Sequence, residues 1–340
     1  MKSPFLISVC AVVVLQCLAV AQDNWKKAAP NAWSIQRDYA FKQLQLLAGH
    51  KFDELEKEMA SASLADPDSI GLSSAGVANT TFRYTDWGKP AWEPFFKDLD
   101  LWKKAFPESP YSSLAKSTAL IDYAWAARGG GYAGTVKEEG WKLFGERLVE
   151  SLKQLDEAKK LGGEKSPVYW TNLLILCQGL QAPADKTKNI VEDALKRFPE
   201  YPGIYYGYCV TILPRWGGAP GEWQAWIESQ NKDARWGGKE MDPILYARIL
   251  WRVFGYIYNQ DGPFFQNEKL SWEKAKLGLD QLCEKYPKSI YWKSARAYLA
   301  WSAQDAKAFK AAMAALDGTY DAWAIKNDEI QKLLKSMPGK

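Results

Sequence analysis

Apolar residues from Trp33 to the end of the chain recur at spacings of three and four positions, which is the period of an amphipathic α-helix. No stretch shows the sustained alternation that a half-buried strand requires. The clearest helix is predicted over 136–161, where six residues share one stripe: Trp141, Phe144, Leu148, Leu152, Leu155 and Ala158. The pattern therefore predicts an all-α fold in which such stripes are buried against neighbouring helices.

A helix boundary is repeated three times along the chain. In segments 102–111, 194–205 and 282–291, an apolar helix is predicted to end on an aromatic residue followed by Pro, and a new helix begins shortly afterwards. Counted from these aromatics, the residue seven positions back is Leu or Val and the residue nine ahead is Ala or Gly: Leu99, Val191, Leu279, Ala115, Gly207 and Ala295. A small residue at a fixed place lets the next helix pack closely, so we predict stacked helix pairs, a tetratricopeptide-like α-solenoid or α/α superhelix.

The N-terminal residues have the pattern of a secretory signal. Lys2 precedes an apolar run from Phe5 to Val20, and the run ends in Ala19-Val20-Ala21. A membrane anchor is the alternative, but the run is shorter than the roughly 20 residues that a membrane-spanning helix needs. We therefore predict a signal peptide over 1–21, an N-terminal helical segment over 22–50 and a helical repeat-like domain over 51–340. The mature chain is expected to be periplasmic or extracellular, without a membrane span.

Two parts of the chain resemble known families. Segment 284–316 looks like a tetratricopeptide-type pair, because a Pro boundary precedes two Ala-rich helices joined by a short turn. Segments 121–147 (IDYAWAARGGGYAGTVKEEGWKLFGER), 213–223 (LPRWGGAPGEW) and 244–252 (ILYARILWR) resemble the bacterial family called Domain of Unknown Function 4034. That resemblance covers roughly 51–323. It implies a helical, repeat-like scaffold and assigns no activity.

Composition excludes several kinds of chemistry. A net charge of +4 on 44 basic and 40 acidic residues is too balanced for the single-sign surface of a nucleic-acid-binding protein. His50 is the only histidine, and no cluster of residues has metal-ligand spacing, so neither a metal nor another cofactor is expected. Gly129 to Gly134 match G-x-G-x-x-G, but a helix precedes them, which favours a helix-ending turn over a phosphate loop.

The mature chain would retain three cysteines, Cys177, Cys209 and Cys283. Each lies in a helical apolar pattern, and an odd, sparse set of cysteines does not build a disulfide framework. We therefore predict buried free thiols.

Aromatic residues are unusually frequent, with 17 Trp, 17 Tyr and 13 Phe. They either fill the cores of helix pairs or line a groove that binds sugars or peptide side chains. Six lie on helical stripes and are assigned to the core: Trp102, Trp125, Trp141, Trp170, Trp251 and Trp292. Trp216 and Trp236 instead lie in a repeated Arg-Trp-Gly-Gly at predicted helix ends. Each repeat is either a helix stop with Arg at the negative end of the dipole or a ligand-binding loop.

Some charged residues lie inside apolar helices. Asp122, Arg248 and Arg252 must each be paired or face a cavity, because an isolated buried charge is costly. Structural pairing is one interpretation. The other is a polar floor in a concave groove, with Asp122, Glu138 or Glu139, and Glu222 as its carboxylates.

The candidate site combines these features. Segments 122–141 and 215–223 interleave Gly, aromatic and charged residues without helical periodicity, and we expect them to meet in space. The predicted ligand-binding residues are Asp122, Arg128, Tyr132, Arg215, Trp216, Glu222 and Trp223, and Arg215 is the strongest candidate because its guanidinium can bind a carboxylate or stack on a ring. No catalytic residue is assigned. The predicted function is an exported scaffold that binds a protein, peptide or glycan; the alternative is a carbohydrate-active enzyme with paired carboxylates in a Trp-lined groove.

Overall fold

The computed structural model describes residues 25–61, 81–83, 91–257 and 263–336, and the all-α prediction is confirmed over these ranges. Fifteen α-helices follow one another there, and the two strands are only two residues long. The helices are α1 (Ala32–Ala48), α2 (Phe52–Ser61), α3 (Trp92–Ala105), α4 (Tyr111–Arg128), α5 (Glu138–Lys160), α6 (Pro167–Gly179), α7 (Ala184–Arg197), α8 (Pro202–Thr211), α9 (Glu222–Asn231), α10 (Pro243–Ile257), α11 (Phe264–Glu268), α12 (Trp272–Lys285), α13 (Ile290–Ser302), α14 (Ala306–Leu316) and α15 (Asn327–Lys335). The predicted signal peptide lies outside the described residues.

The helices pack as stacked pairs. From α3 to α9, each helix contacts the next one along the chain. Further along, α12 contacts α13, and α13 contacts α14. In addition, α4 contacts α6, α6 contacts α8, α8 contacts α10, and α10 contacts α12. Alternate helices therefore form a continuous row, which is the arrangement that repeated helix pairs generate.

The three aromatic-Pro boundaries share one backbone conformation. Phe106, Phe198 and Tyr286 each follow the last residue of a helix, with φ of −129°, −132° and −124° and ψ of 68°, 62° and 67°. The pyrrolidine ring of the following Pro disfavours a helical conformation at the aromatic residue, so the helix ends there. The residues seven positions back are buried, as are Ala115 and Ala295 nine positions ahead. The repeat that the sequence predicts is thus a structural repeat.

Two hydrophobic clusters form the core, and α4 contributes to both. The predicted stripe of α5 is buried at Phe144, Leu148, Leu155 and Ala158. The six tryptophans that the sequence assigns to the core differ in their burial. Four are buried, namely Trp102, Trp170, Trp251 and Trp292. Trp125 is half-buried and Trp141 is 39% exposed, so the prediction is wrong for Trp141. Trp141 lies in the first turn of α5, where its ring contacts Phe144 and the guanidinium of Arg128.

The beginning and the end of the described chain are joined. Strand β1 (Lys26–Lys27) pairs in parallel with strand β2 (Thr319–Tyr320). The buried carboxylate of Asp321 accepts a hydrogen bond from the backbone N–H of Ala32, the first residue of α1, at 2.8 Å. The other end of α1 packs into the N-terminal hydrophobic cluster. Helix α1, 17 residues long, therefore connects the C-terminal part of the fold to its N-terminal helices.

Cys177, Cys209 and Cys283 are free thiols, as predicted. Cys177 and Cys209 are buried and Cys283 is half-buried. Burial raises the pKa of each thiol. Among the described residues, none of the helices combines the length and the apolar character that a membrane-spanning segment needs.

Candidate functional site

The two segments singled out from the sequence meet at Trp216. This residue ends a short 3-10 turn, Pro214–Trp216, that follows α8. Its ring lies edge-on to the ring of Trp125 in α4, with 5.7 Å between the ring centroids. The guanidinium carbon of Arg128, at the end of α4, lies 5.0 Å from the Trp141 ring centroid, 5.3 Å from that of Trp125 and 5.9 Å from that of Trp216. We call Arg128 and these three tryptophans the Trp cage.

The glycine-rich segment after α4 holds Arg128 in this cage. Gly129 ends the helix with a φ of +73°, a backbone conformation that residues other than Gly rarely adopt. Arg128 Nη1 donates hydrogen bonds to the carbonyl oxygens of Gly129 and Gly131, at 3.0 and 3.1 Å. The G-x-G-x-x-G match is thus a helix-ending turn, as predicted from its context. Tyr132 lies on the same turn and is 90% exposed.

Arg215 points to a different set of rings. Its guanidinium carbon lies 4.6 Å from the ring centroid of Tyr256, and its Nη2 donates to the Tyr256 carbonyl oxygen at 3.4 Å. The Tyr256 ring is edge-on to Tyr206 of α8, 6.1 Å away, and the guanidinium carbon of Arg252 lies 4.9 Å from the Tyr206 centroid. We call Arg215, Tyr256, Tyr206 and Arg252 the Arg–Tyr row. It adjoins the Trp cage because Arg215 and Trp216 are consecutive residues.

The Arg–Tyr row is electropositive. Burial raises the pKa of Tyr206, and the positive charges of Arg252, Arg83 and Arg215 oppose this rise. Three guanidinium groups therefore act on one phenol. Among the described residues, no carboxylate forms an ion pair with Arg215 or Arg252. Both arginines are exposed, so their N–H groups remain accessible from solvent.

The second Arg-Trp-Gly-Gly provides an internal comparison. There Arg235 forms two hydrogen bonds to the Asp233 carboxylate, at 2.8 and 3.0 Å, and Trp236 Nε1 donates to the Gln230 carbonyl oxygen at 2.7 Å. In both turns a Gly with positive φ follows the Trp, so the backbone of both turns has the left-handed glycine that is typical of a helix end. They differ in side chains, because Arg235 pairs with Asp233 and Trp236 donates to Gln230, although Arg235 Nη1 is also a buried donor without an acceptor in the described chain.

The first turn leaves its donors without such partners. Leu213 stands at the position that Asp233 has in the second turn, so Arg215 has no neighbouring carboxylate there. Trp216 Nε1 is buried and has no acceptor within the described chain, and the same is true of Arg128 Nε in the Trp cage. A buried N–H without an acceptor costs about 1–3 kcal/mol. Two such donors therefore lie within one aromatic cage.

The other predicted site residues lie elsewhere. Trp223 is buried in the main core with 2% of its surface exposed, which excludes it from direct ligand contact. Its place in the first turn of α9 directs the ring inwards. Glu222 Oε2 accepts a hydrogen bond from the Ala219 backbone N–H at 2.7 Å and so closes the turn before α9. Asp122 is buried within α4, with 5% exposed.

Sequence reasoning missed the tyrosines of the site. Tyr206 and Tyr256 were not singled out, although Tyr256 lies four residues after Arg252 and therefore on the same face of α10. That spacing is the signal that could have found the row. Helical periodicity assigns Trp125 and Trp141 to the core, because each lies on the apolar stripe of its own helix.

Comparison with known proteins adds no assignment. No family model matches the chain, and it matches neither a curated protein nor a solved structure. The resemblance to Domain of Unknown Function 4034 therefore stays a prediction from the motifs.

Proposed function

We propose that this chain is an exported helical-repeat binding protein whose ligand binds at the first Arg-Trp-Gly-Gly turn, between the Trp cage and the Arg–Tyr row. The observation that carries the proposal is the contrast between the two turns. In the second turn Arg235 is held by the Asp233 carboxylate and Trp236 donates to the Gln230 carbonyl oxygen. In the first turn Arg215 is exposed, has no ion-pair partner among the described residues and lies on the Tyr256 ring.

The chemistry of these groups supports binding over catalysis. The alternative, a carbohydrate-active enzyme, requires two carboxylates that face the substrate. Of the carboxylates named for that role, Asp122 is buried and Glu222 accepts a backbone hydrogen bond, while Glu138 and Glu139 are exposed in the first turn of α5. The groups at the turn are guanidinium, indole and phenol. Because burial raises the pKa of Tyr206, its phenol is a poor general base near neutral pH.

Export of the protein belongs to the same proposal and rests on the N-terminal pattern. Cleavage after Ala21 would give a mature chain that begins at Gln22. Mass spectrometry of the protein purified from the native cell envelope or medium should show that N-terminus. A chain that begins at Met1, or one that carries a lipid on Cys17, would contradict this part of the proposal.

The test of binding uses the two turns as matched variants. Mature protein, Arg215→Ala and Arg235→Ala should each be immobilised and exposed to an envelope extract, with captured protein and glycan both measured. We expect Arg215→Ala to lose the ligand and Arg235→Ala to retain it. Arg215 is exposed, so its loss should change stability little. Loss of the partly exposed Arg235–Asp233 pair should cost at most about 1 kcal/mol.

Thermal melts of the same preparations exclude unfolding as the cause of lost capture. Equal capture by the Arg215 and Arg235 variants would refute the proposed site. A large loss of stability in Arg215→Ala would also refute it, because that result would make Arg215 a structural residue.

A further inference from the structure

We propose that the ligand is an acidic peptide segment, whose Asp or Glu carboxylates bind Arg215 and Arg252. The inference rests on the proposed function and specifies the ligand class for the same site. Its first support is the placement of charge. Arg215 and Arg252 stand at the two ends of the Arg–Tyr row, each within 5 Å of a ring centroid.

Arg215 and Arg252 form no ion pair with a carboxylate of the described residues. The charged side chains that act on Tyr206 are arginines, and no carboxylate is among them. The neighbouring tyrosines of α8 differ in this respect. Tyr205 is influenced by Arg235 and also by the carboxylates of Asp233 and Glu200, and Tyr208 is influenced by Glu222 and Glu192. The face of α8 that carries Tyr206 therefore selects for an anionic partner, because clustered guanidinium groups favour a bound carboxylate.

The arrangement of the rings favours a peptide over an acidic glycan. Sugars bind by stacking on open aromatic faces, whereas one face of Tyr256 and one face of Tyr206 are covered by the guanidinium groups of Arg215 and Arg252. A guanidinium that lies on a ring still presents its N–H edge outwards, and this edge matches a carboxylate with two parallel hydrogen bonds. The row thus offers two forks for carboxylates and little bare ring surface.

The experiment measures binding of labelled peptides to the full mature protein by fluorescence anisotropy. The probes are hexaglutamate, hexaglutamine and, as the glycan arm, a galacturonate oligosaccharide of the same charge. We expect hexaglutamate to bind at least about tenfold more tightly than either of the others. Arg215→Ala and Arg252→Ala should each weaken hexaglutamate binding about tenfold or more, while Arg235→Ala should stay within about twofold of the unaltered protein. Circular dichroism confirms that each variant is folded.

Three outcomes would overturn the inference: equal binding of hexaglutamine, tighter binding of the galacturonate oligosaccharide, or no effect of the Arg215 and Arg252 changes. The envelope capture experiment separates this failure from failure of the proposed function. If capture depends on Arg215 but hexaglutamate does not compete, the binding site stands and the ligand class is wrong. If capture does not depend on Arg215, the site itself is wrong.

Discussion

Substitution of Gly278 by Ala should separate two helices that are in direct backbone contact. Gly278 lies in α12, where this helix crosses α10. A Cβ at this position would lie 1.9 Å from the carbonyl oxygen of Pro243 and 2.8 Å from the Cβ of Ala247, whereas ordinary contacts begin at 3.4 Å. Neither neighbouring atom belongs to a side chain that can rotate away. The two helices would have to move apart by about 1.5 Å at this point.

The expected magnitude follows from two opposing effects. Overpacking typically costs 1–3 kcal/mol, and a clash with rigid backbone belongs near the upper end, about 3 kcal/mol. The replacement of a helical Gly by Ala returns about 1 kcal/mol. The net loss in unfolding free energy for Gly278→Ala should therefore be about 2 kcal/mol.

Gly255 in α10 provides the matched control, because a Cβ there would have no neighbour within 4 Å. Gly255→Ala should therefore show only the higher helix propensity of Ala and raise the unfolding free energy by about 1 kcal/mol. Urea unfolding followed by far-ultraviolet circular dichroism should place the two variants about 3 kcal/mol apart. If Gly278→Ala is as stable as Gly255→Ala, the close approach of Gly278 to the Pro243 carbonyl is refuted.

Two further predictions concern titratable groups. Burial raises the pKa of Asp321, so the folded chain binds this proton more tightly than the unfolded chain does, and the unfolding free energy should fall as pH rises through the folded pKa. Asp321→Asn should flatten that fall in urea titrations carried out at pH values above the usual carboxyl pKa of about 4, and an unchanged profile would refute the assignment. Burial also raises the pKa values of Cys177, Cys209 and Cys283, so a disulfide reagent should react slowly with the native mature protein and find three thiols in denaturant; a count of one would reveal a disulfide.

The helical fold could be predicted from the sequence because its signals are local. Apolar periodicity records which side of a helix packs against the rest of the protein. A Pro restricts the backbone of the residue before it in any tertiary context. Hence the ends of α3, α7 and α12 at Phe106, Phe198 and Tyr286 follow directly from the printed sequence. The pairing of Lys26 with Thr319 has no such signal, since it joins residues nearly 300 positions apart.

The candidate site was only partly predictable. Interleaved Gly, aromatic and charged residues correctly placed Arg128 near Trp216, because loop residues that follow stacked helices lie at the same end of the stack. Periodicity alone could not show that Trp141 protrudes beyond its neighbours or that Trp223 turns inwards. The difference between the two Arg-Trp-Gly-Gly turns, however, is already visible in sequence, where Asp233 precedes one and Leu213 the other.

The pairing of β1 with β2 bears on how the protein loses its structure. In an open array of repeats, each terminal unit has a single neighbour, so unfolding can begin at either end and proceed inwards. Here the residues around Lys26 are hydrogen-bonded to those around Thr319, and Asp321 fixes the start of α1. Neither of these two segments can therefore separate without breaking the contacts of the other. Disruption of this junction should convert one cooperative transition into progressive melting from the ends, well before the central helices α6 and α8 separate.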